Sequence, residues 1–209
     1  MWMDITQMLE ADIAHWPEDT PFSYERTVTK AESGSVNIGK ITTSTHIGTH
    51  IDAPFHFKED GDTVDQLDIN RYIGEATVIE IENSKELGLE AIRQFDIRGD
   101  ILLIKTKRKS DTTVFPESIP VLEKRAVEYM AAQGIKLFGT DVTSVDAIDS
   151  KTLDIHHLLH ERDIMILENA VLDDIAPGYY EFVALPLKIK GADGSPVRAA
   201  LQYKGDLND

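Results

Sequence analysis

The residues best suited to chemistry lie in one short stretch, 46–56, which reads HIGTHIDAPFH. It contains three of the chain's seven histidines and one aspartate: His46, His50, Asp52 and His56. Imidazole nitrogen and carboxylate oxygen are the ligands that divalent metals such as Zn²⁺, Mn²⁺ and Fe²⁺ accept. A lone histidine is usually a hydrogen-bonded core or surface residue. Four potential ligands among apolar neighbours, which would partly bury them, instead favour a metal site.

The backbone of this stretch is not predicted to be helical. Gly48 and Pro54 disfavour a helix, and so do the β-branched residues between them. We therefore expect the end of a strand running into a turn, where a bent backbone aims alternate side chains at one point. The helical zinc motif H-E-x-x-H is excluded, because Ile47 occupies the position of its glutamate.

A second group of candidate ligands follows about a hundred residues later. A short helix is predicted over 153–161 with three histidines, and Glu168 ends an apolar strand over 163–167. A buried carboxylate is costly unless it is paired or bound to metal. Five ligands, namely His46, His50, Asp52, His156 and Glu168, exceed the need of one four-coordinate catalytic Zn²⁺ with its water. Two ions bridged by Asp52 and Glu168 would use all five and leave a position for solvent.

The run His46-x-Gly48-Thr49-His50-x-Asp52-x-Pro54-x-His56 resembles the signature of the cyclase superfamily of metal-dependent hydrolases. Within it the likeness is greatest to the bacterial arylformamidases, or kynurenine formamidases. Supporting segments are DIT at 4–6, WPEDTPF at 16–22, TDVTSVD at 140–146, HHLL at 156–159 and ILEN at 166–169, so the likeness spans nearly the whole chain. One departure is Glu18, which adds a carboxylate near the pocket rim where the family usually has glycine.

The resemblance implies a role for each matching residue. It implies two divalent ions per subunit, with Zn²⁺ favoured and Mn²⁺ as the alternative, held by His46, His50, Asp52, His156 and Glu168. It further implies that His56 is the proton donor and acceptor and that Trp16 lines the substrate pocket. His157 and His160 match no ligand position and are left as surface or supporting residues.

Strands outnumber the predicted helices but alternate with them, which predicts a mixed α/β fold with a largely β core in a single domain over 1–209. Buried strands are predicted over 74–81, 100–105 and 135–141, and the clearest helix over 121–133. Two last strands, over 180–189 and 197–203, enclose a predicted turn at 191–196. The resemblance implies a swivelling β/β/α fold and a homodimer or larger homo-oligomer.

Composition limits the partners and the compartment. The net charge of −16 argues against nucleic acid and anionic membranes as partners. The chain has no cysteine, which excludes disulfides and thiolate ligands. The N-terminus lacks the basic region of a signal peptide, and no apolar run approaches the roughly 20 residues that span a bilayer. These features predict a cytoplasmic protein.

The ligand set predicts hydrolysis, because a bound divalent cation lowers the pKa of water from about 15.7 to about 7. The resemblance implies that the substrate is an aryl formamide, N-formyl-L-kynurenine, cleaved at a non-peptide C–N bond to L-kynurenine and formate in tryptophan degradation. Hydroxide generated at the metal would attack the formyl carbonyl, with His56 as general acid and base.

Three alternatives remain at this point. The same site could hydrolyse another small cyclic or aryl amide of the isatin type. A non-haem Fe²⁺ oxygenase could use His50, Asp52 and His156 as its two-histidine, one-carboxylate triad, although this leaves the other candidates unexplained. The third alternative is a non-enzymatic metal-binding protein, whose ligands would have to fill every coordination position of the metal.

Overall fold

The computed structural model describes residues 1–81, 85–106 and 111–207. The strands are β1 (Trp2–Asp4), β2 (Ser23–Val28), β3 (Ile38–Thr42), β4 (His50–Asp52), β5 (Ile73–Glu80), β6 (Glu86–Leu87), β7 (Ile101–Lys105), β8 (Val121–Leu122), β9 (Leu137–Thr140), β10 (Met165–Glu168), β11 (Gly178–Val183), β12 (Gly194–Pro196) and β13 (Ala200–Gly205). The helices are α1 (Lys30–Ser33), α2 (Leu89–Ile92), α3 (Lys124–Ala132) and α4 (Asp154–Glu161). Short 3₁₀ turns lie at Pro54–His56, Val64–Gln66 and Ile69–Tyr72.

Nine of these strands form one mixed sheet in the order β1-β13-β11-β5-β7-β9-β10-β4-β12. Its centre is parallel, because β5, β7, β9 and β10 run in the same direction. Both flanks are antiparallel. The prediction of a mixed α/β fold with a largely β core is confirmed.

The central strands are buried on both faces, as their unbroken apolar sequences require. Successive side chains of a strand point to opposite faces. In β7, Ile101 and Leu103 accordingly join one hydrophobic cluster, while Leu102 and Ile104 join a second cluster with α2, α3 and α4. The sheet therefore separates two cores, and the helices cover only one face.

Three predicted elements differ in the structure. The strand predicted over 180–189 is β11, which begins at Gly178 and already ends at Val183. The helix predicted over 121–133 begins at Lys124, because Val121 and Leu122 form β8 and pair with β6. The predicted turn at 191–196 contains β12, which pairs with β4. Glycine and proline disfavour strands but are tolerated at sheet edges, and β12 lies at the edge.

Strands β2 and β3 form a separate antiparallel hairpin that leads into residue 46. Its apolar side chains Tyr24, Ile38 and Ile41 are exposed. Among the helices of the described ranges, none has the length and apolar character needed to cross a bilayer.

Candidate metal centre

Strand pairing alone brings three of the predicted ligands to one face of the sheet. His50 and Asp52 are two residues apart on β4, so both point to the same side, and Ile51 between them points into the opposite core. Glu168 on β10 is the cross-strand partner of His50, and such partners share a face. All three residues are at most 3% exposed, and their side chains lie on the side covered by helices.

Helix α4 adds His156 to this face, and Asp146 sets its orientation. The Asp146 carboxylate accepts hydrogen bonds from the backbone N–H groups of Ile155 and His156, at 3.1 and 3.0 Å, at the start of α4. It also accepts one from His156 Nδ1 at 2.7 Å. The other ring nitrogen, Nε2, then points to the buried carboxylates, 3.5 Å from Asp52 Oδ2 and 3.6 Å from Glu168 Oε1.

His46 enters from the turn that precedes β4, which Gly48 shapes with a left-handed φ of 57°. Its Nδ1 lies 2.9 Å from Asp52 Oδ1, and its Nε2 lies 3.0 Å from Asp193 Oδ2. Gly194 leaves room for the ring, since a Cβ there would stand 2.7 Å from His46 Cε1. A neutral imidazole has one N–H only, so two carboxylate partners favour the protonated ring.

His56 lies on the 3₁₀ turn that follows β4 and is the most exposed histidine of the group, with 32% of its side chain accessible. Its ring centroid is 3.9 Å from that of His46 and 6.2 Å from that of His156. Its Nδ1 lies 3.7 Å from Asp193 Oδ2. His56 therefore stands at the open side of the buried cluster.

The donor set fits a metal. His50 Nδ1 donates to the Gly48 carbonyl at 2.8 Å, which directs the lone pair of Nε2 into the cluster. His50 Nε2 and Asp52 Oδ2 are buried without a hydrogen-bond partner. His50 Nε2 lies 3.5 Å from both Asp52 Oδ1 and Glu168 Oε2. Ligand atoms around a tetrahedral Zn²⁺ are roughly 3.3–3.4 Å apart, since each lies about 2.0–2.1 Å from the metal.

Two groups of possible ligands share Asp52. One comprises His46, His50 and Asp52, and the other comprises Asp52, His156 and Glu168, with the ligand atoms of each group within 4.8 Å of one another. A third group of this kind adds Asp193 to His46 and His56. The structure thus brings together all five residues predicted as ligands, with His56 beside them.

The histidines of the metal-free cluster differ in protonation. Burial lowers the pKa of His46, but hydrogen bonds to Asp193 and Asp52 outweigh it and raise that pKa to about 10. The pKa of His156 is likewise lowered by burial and raised, to about 10, by Asp146 and Asp52. Burial lowers the pKa of His50 to about 4, so this ring is neutral near pH 7.

The two buried carboxylates also differ. Burial raises the pKa of Asp52, but the adjacent rings of His156 and His46 outweigh it and hold the pKa well below its usual range. Burial raises the pKa of Glu168 well above its usual range, and the neighbouring Asp52 charge adds to this. The metal-free cluster therefore holds protons that a divalent cation would displace, because metal ligands must be deprotonated.

A cavity of about 410 Å³ opens above the cluster, within the range of about 300–1,000 Å³ that is usual for small-molecule sites. Its floor includes His50, His156 and Glu168. Trp16 lines one wall, and its ring packs edge-on against Phe115 with the centroids 4.9 Å apart.

The remaining histidines of α4 lie outside the ligand groups found among the described residues. His157 and His160 pack edge-on against the Phe57 ring. The sequence analysis missed Asp146 and Asp193. Asp146 is the last residue of the segment 140–146, which supports the family resemblance. That match could have identified Asp146 as a functional residue. Asp193 lies in a glycine-rich stretch that is typical of a turn, and no signal in the sequence links it to His46.

The chain is similar to known proteins along nearly its whole length. Residues 3–147 match the family model of the putative cyclases. A protein of Geobacillus thermodenitrificans named kynurenine formamidase is 51% identical over 205 residues, which cover 98% of each chain. A solved structure of a potential metal-dependent hydrolase with cyclase activity has a TM-score of 0.81 at 27% identity over 96% of both chains. An isatin hydrolase bound to the product analogue thioisatinate has a TM-score of 0.78 at 25% identity, over 97% of this chain and 92% of that one.

Proposed function

The chain belongs to the putative cyclase family, and we propose that within this family it is a metal-dependent amidohydrolase that converts N-formyl-L-kynurenine to L-kynurenine and formate. The observation that carries this is the histidine and carboxylate cluster at the floor of an open cavity. The relative named kynurenine formamidase, 51% identical along nearly the full length, supports the substrate. The enzyme is a hydrolase that acts on a non-peptide C–N bond.

His46, His50, Asp52, His156 and Glu168 would hold two divalent ions, with Zn²⁺ favoured and Mn²⁺ as the alternative. Imidazole nitrogens together with carboxylate oxygens are typical ligands of Zn²⁺. When bound, such ions acidify water and polarise a carbonyl oxygen.

His56 moves the proton in this reaction. Water adds to the formyl carbon, the C–N bond breaks, and the aniline nitrogen must gain a proton as it leaves. His56 lies at the open side of the cluster and is partly exposed to the cavity, so it can take the proton from water and deliver it to nitrogen. Asp193 Oδ2, 3.7 Å from His56 Nδ1, places a negative charge beside the ring that would stabilise its protonated form.

The upper cavity binds the aryl part of the substrate. Trp16 and Ile148 both line it and offer apolar surface to a benzene ring. An isatin-type cyclic amide is the second candidate substrate, and the structural likeness to an isatin hydrolase favours it. The cavity over the ligands argues against a closed metal-binding protein, and a five-residue ligand set exceeds the triad of an Fe²⁺ oxygenase.

The decisive experiment measures formate release from N-formyl-L-kynurenine by the metal-reconstituted protein, with a chelator-treated sample and metal analysis alongside. Rapid, chelator-sensitive release is the expected result. Bound metal with negligible release would overturn the substrate and lead to isatin-type amides. A protein that takes up no stoichiometric metal would overturn the hydrolase itself.

The remaining predictions concern assembly and location. The chain is one hydrolase domain over 1–209, it forms a homodimer or larger homo-oligomer, and it works in the cytoplasm on a small molecule without nucleic acid or membrane. Light scattering of the purified protein measures the subunit number, and a monomer would contradict the homo-oligomer.

A further inference from the structure

Two opposite charges line the cavity above the proposed metal ligands, and neither is used within the described part of the chain. Glu18 lies on the proline-rich loop, and Lys151 lies on the loop that leads into α4. Both side chains are exposed. No hydrogen bond or ion pair joins either charged group to another described residue, so both are free to meet a ligand.

The neighbouring Asp19 shows what a structural carboxylate looks like in the same loop. Asp19 also lines the cavity, but its oxygens accept hydrogen bonds from Ser44 Oγ at 2.6 Å and from the Thr20 N–H at 2.9 Å. The bond from Ser44 fastens the loop to the chain segment that precedes His46. The Glu18 carboxylate makes no such hydrogen bond to a described residue.

The backbone at Glu18 is unfavourable for a residue with a side chain. Its φ of 71° lies in the left-handed region, which is unfavourable for a non-glycine residue. The proline loop thus carries a carboxylate at a position where glycine would be less strained. Such backbone strain is typical of residues that contact a ligand.

Lys151 is held at the cavity by a short turn. The Ser150 hydroxyl accepts a hydrogen bond from the Leu153 N–H at 3.2 Å, and Leu153 has a left-handed φ of 47° just before α4 begins. Among the described residues that line this cavity, Lys151 is the single lysine or arginine. On a chain with a net charge of −16, it provides a local attraction for an anionic group.

We infer that Glu18 and Lys151 together recognise the amino acid end of the substrate. The Glu18 carboxylate binds the α-ammonium group and the Lys151 ammonium binds the α-carboxylate, while the formyl group lies over the floor of the cavity. This inference rests on the proposed function and narrows its substrate class to zwitterionic aryl formamides. A neutral isatin-type amide has no group for either charge.

The test compares substrates that differ only at that end. Formate release is measured with N-formyl-L-kynurenine and with 2′-formamidoacetophenone, which keeps the formamide, ring and ketone but lacks the amino acid. Each of Glu18→Gln and Lys151→Gln should lower kcat/KM about tenfold for N-formyl-L-kynurenine, mainly through KM, as expected for one lost charge-assisted hydrogen bond. The loss with the truncated substrate should be several times smaller.

Two further substrates test which charge meets which group. The methyl ester of N-formyl-L-kynurenine has no carboxylate. Lys151→Gln should therefore lower kcat/KM for this ester no more than it does for the truncated substrate. For the analogue without the α-amino group, Glu18→Gln should likewise lower kcat/KM no more than it does for the truncated substrate. The opposite pattern would overturn the assignment of the two residues.

Matched controls are Lys188→Gln and Glu117→Gln, which remove exposed charges that line none of the described cavities. Both should match the unmodified enzyme on every substrate. If the enzyme cleaves both substrates and the two cavity variants behave as the controls do, this inference is overturned and the formamidase stands. If the enzyme cleaves neither substrate, the proposed function itself fails.

Discussion

The floor and the rim of the cavity are built in opposite ways. Floor residues such as His50, Asp52 and His156 are buried, lie on strands or a helix, and contact one another or buried hydrogen-bond partners. The rim residues Glu18 and Lys151 are exposed, lie on loops, and carry free charges. Rigid elements thus hold the groups that require fixed geometry, while loops carry the groups that select the substrate. The difference predicts that variants of the proposed floor ligands lose metal and rate, whereas rim variants lose affinity for substrate.

Removal of a floor ligand should give the largest effect. His50→Ala and Glu168→Ala each remove a proposed ligand and leave other buried polar groups unpaired. We expect both variants to lose bound metal and to fall in rate by about 10³-fold or more. Metal analysis and formate release measure the two losses. His157→Ala on α4 is the matched control and should keep both properties, because His157 packs on Phe57. Full metal content in either ligand variant would contradict the two-ion site.

His56→Ala should separate chemistry from metal binding within the floor. Its ring stands at the open side of the cluster, so its removal leaves the five proposed ligands in place. We expect kcat to fall about 10²- to 10⁴-fold, as is typical for loss of a general acid and base. The metal content should stay unchanged. A variant that lost its metal would place His56 among the ligands instead.

Asp146→Asn tests whether the floor depends on its supporting carboxylate. Asp146 receives the His156 ring and two backbone N–H groups at the start of α4. Loss of such a partner typically lowers metal affinity about 10- to 100-fold. Competition with a chromophoric chelator measures this affinity. Affinity equal to that of the unmodified enzyme would show that His156 needs no orienting carboxylate.

Metal affinity at the floor of the cavity should depend steeply on pH. With pKa values of about 10, His46 and His156 hold protons in the metal-free protein at neutral pH, and metal must displace them. His50, with a pKa of about 4, adds nothing to this dependence near pH 7. Affinity should therefore rise with pH by about tenfold per unit for each proton released, between about pH 6 and 8. Calorimetry in buffers of different ionisation enthalpy counts these protons, and a count of zero would contradict the protonation described.

Trp16→Ala should give the smallest effect. Trp16 lies on the cavity wall and packs on Phe115, away from the ligand atoms. We expect KM for N-formyl-L-kynurenine to rise about five- to tenfold, as an aromatic contact with the substrate is lost. The metal content should equal that of the unmodified enzyme, and a fall in metal content would show that the wall and the floor are not independent.

The site was largely predictable because its first half is local in sequence. Residues 46–56 concentrate the ligand types, and the period of a strand places His50 and Asp52 on one face. The apolar runs likewise predicted β5, β7 and β9. Asp193 was not predictable, because its contact with His46 depends on β12 pairing with β4. A Gly-Ser-Pro sequence has low strand propensity and forms a strand only because tertiary contacts impose it.

The position of β4 in the sheet has a consequence for biosynthesis. Both of its neighbours, β10 and β12, follow it in sequence by more than a hundred residues. At about 5–20 residues per second, the ribosome adds the intervening chain in roughly 5 to 20 seconds. During that time the histidines of the first stretch emerge without Glu168 or His156. We therefore expect the metal to be acquired by the completed enzyme rather than by the nascent peptide.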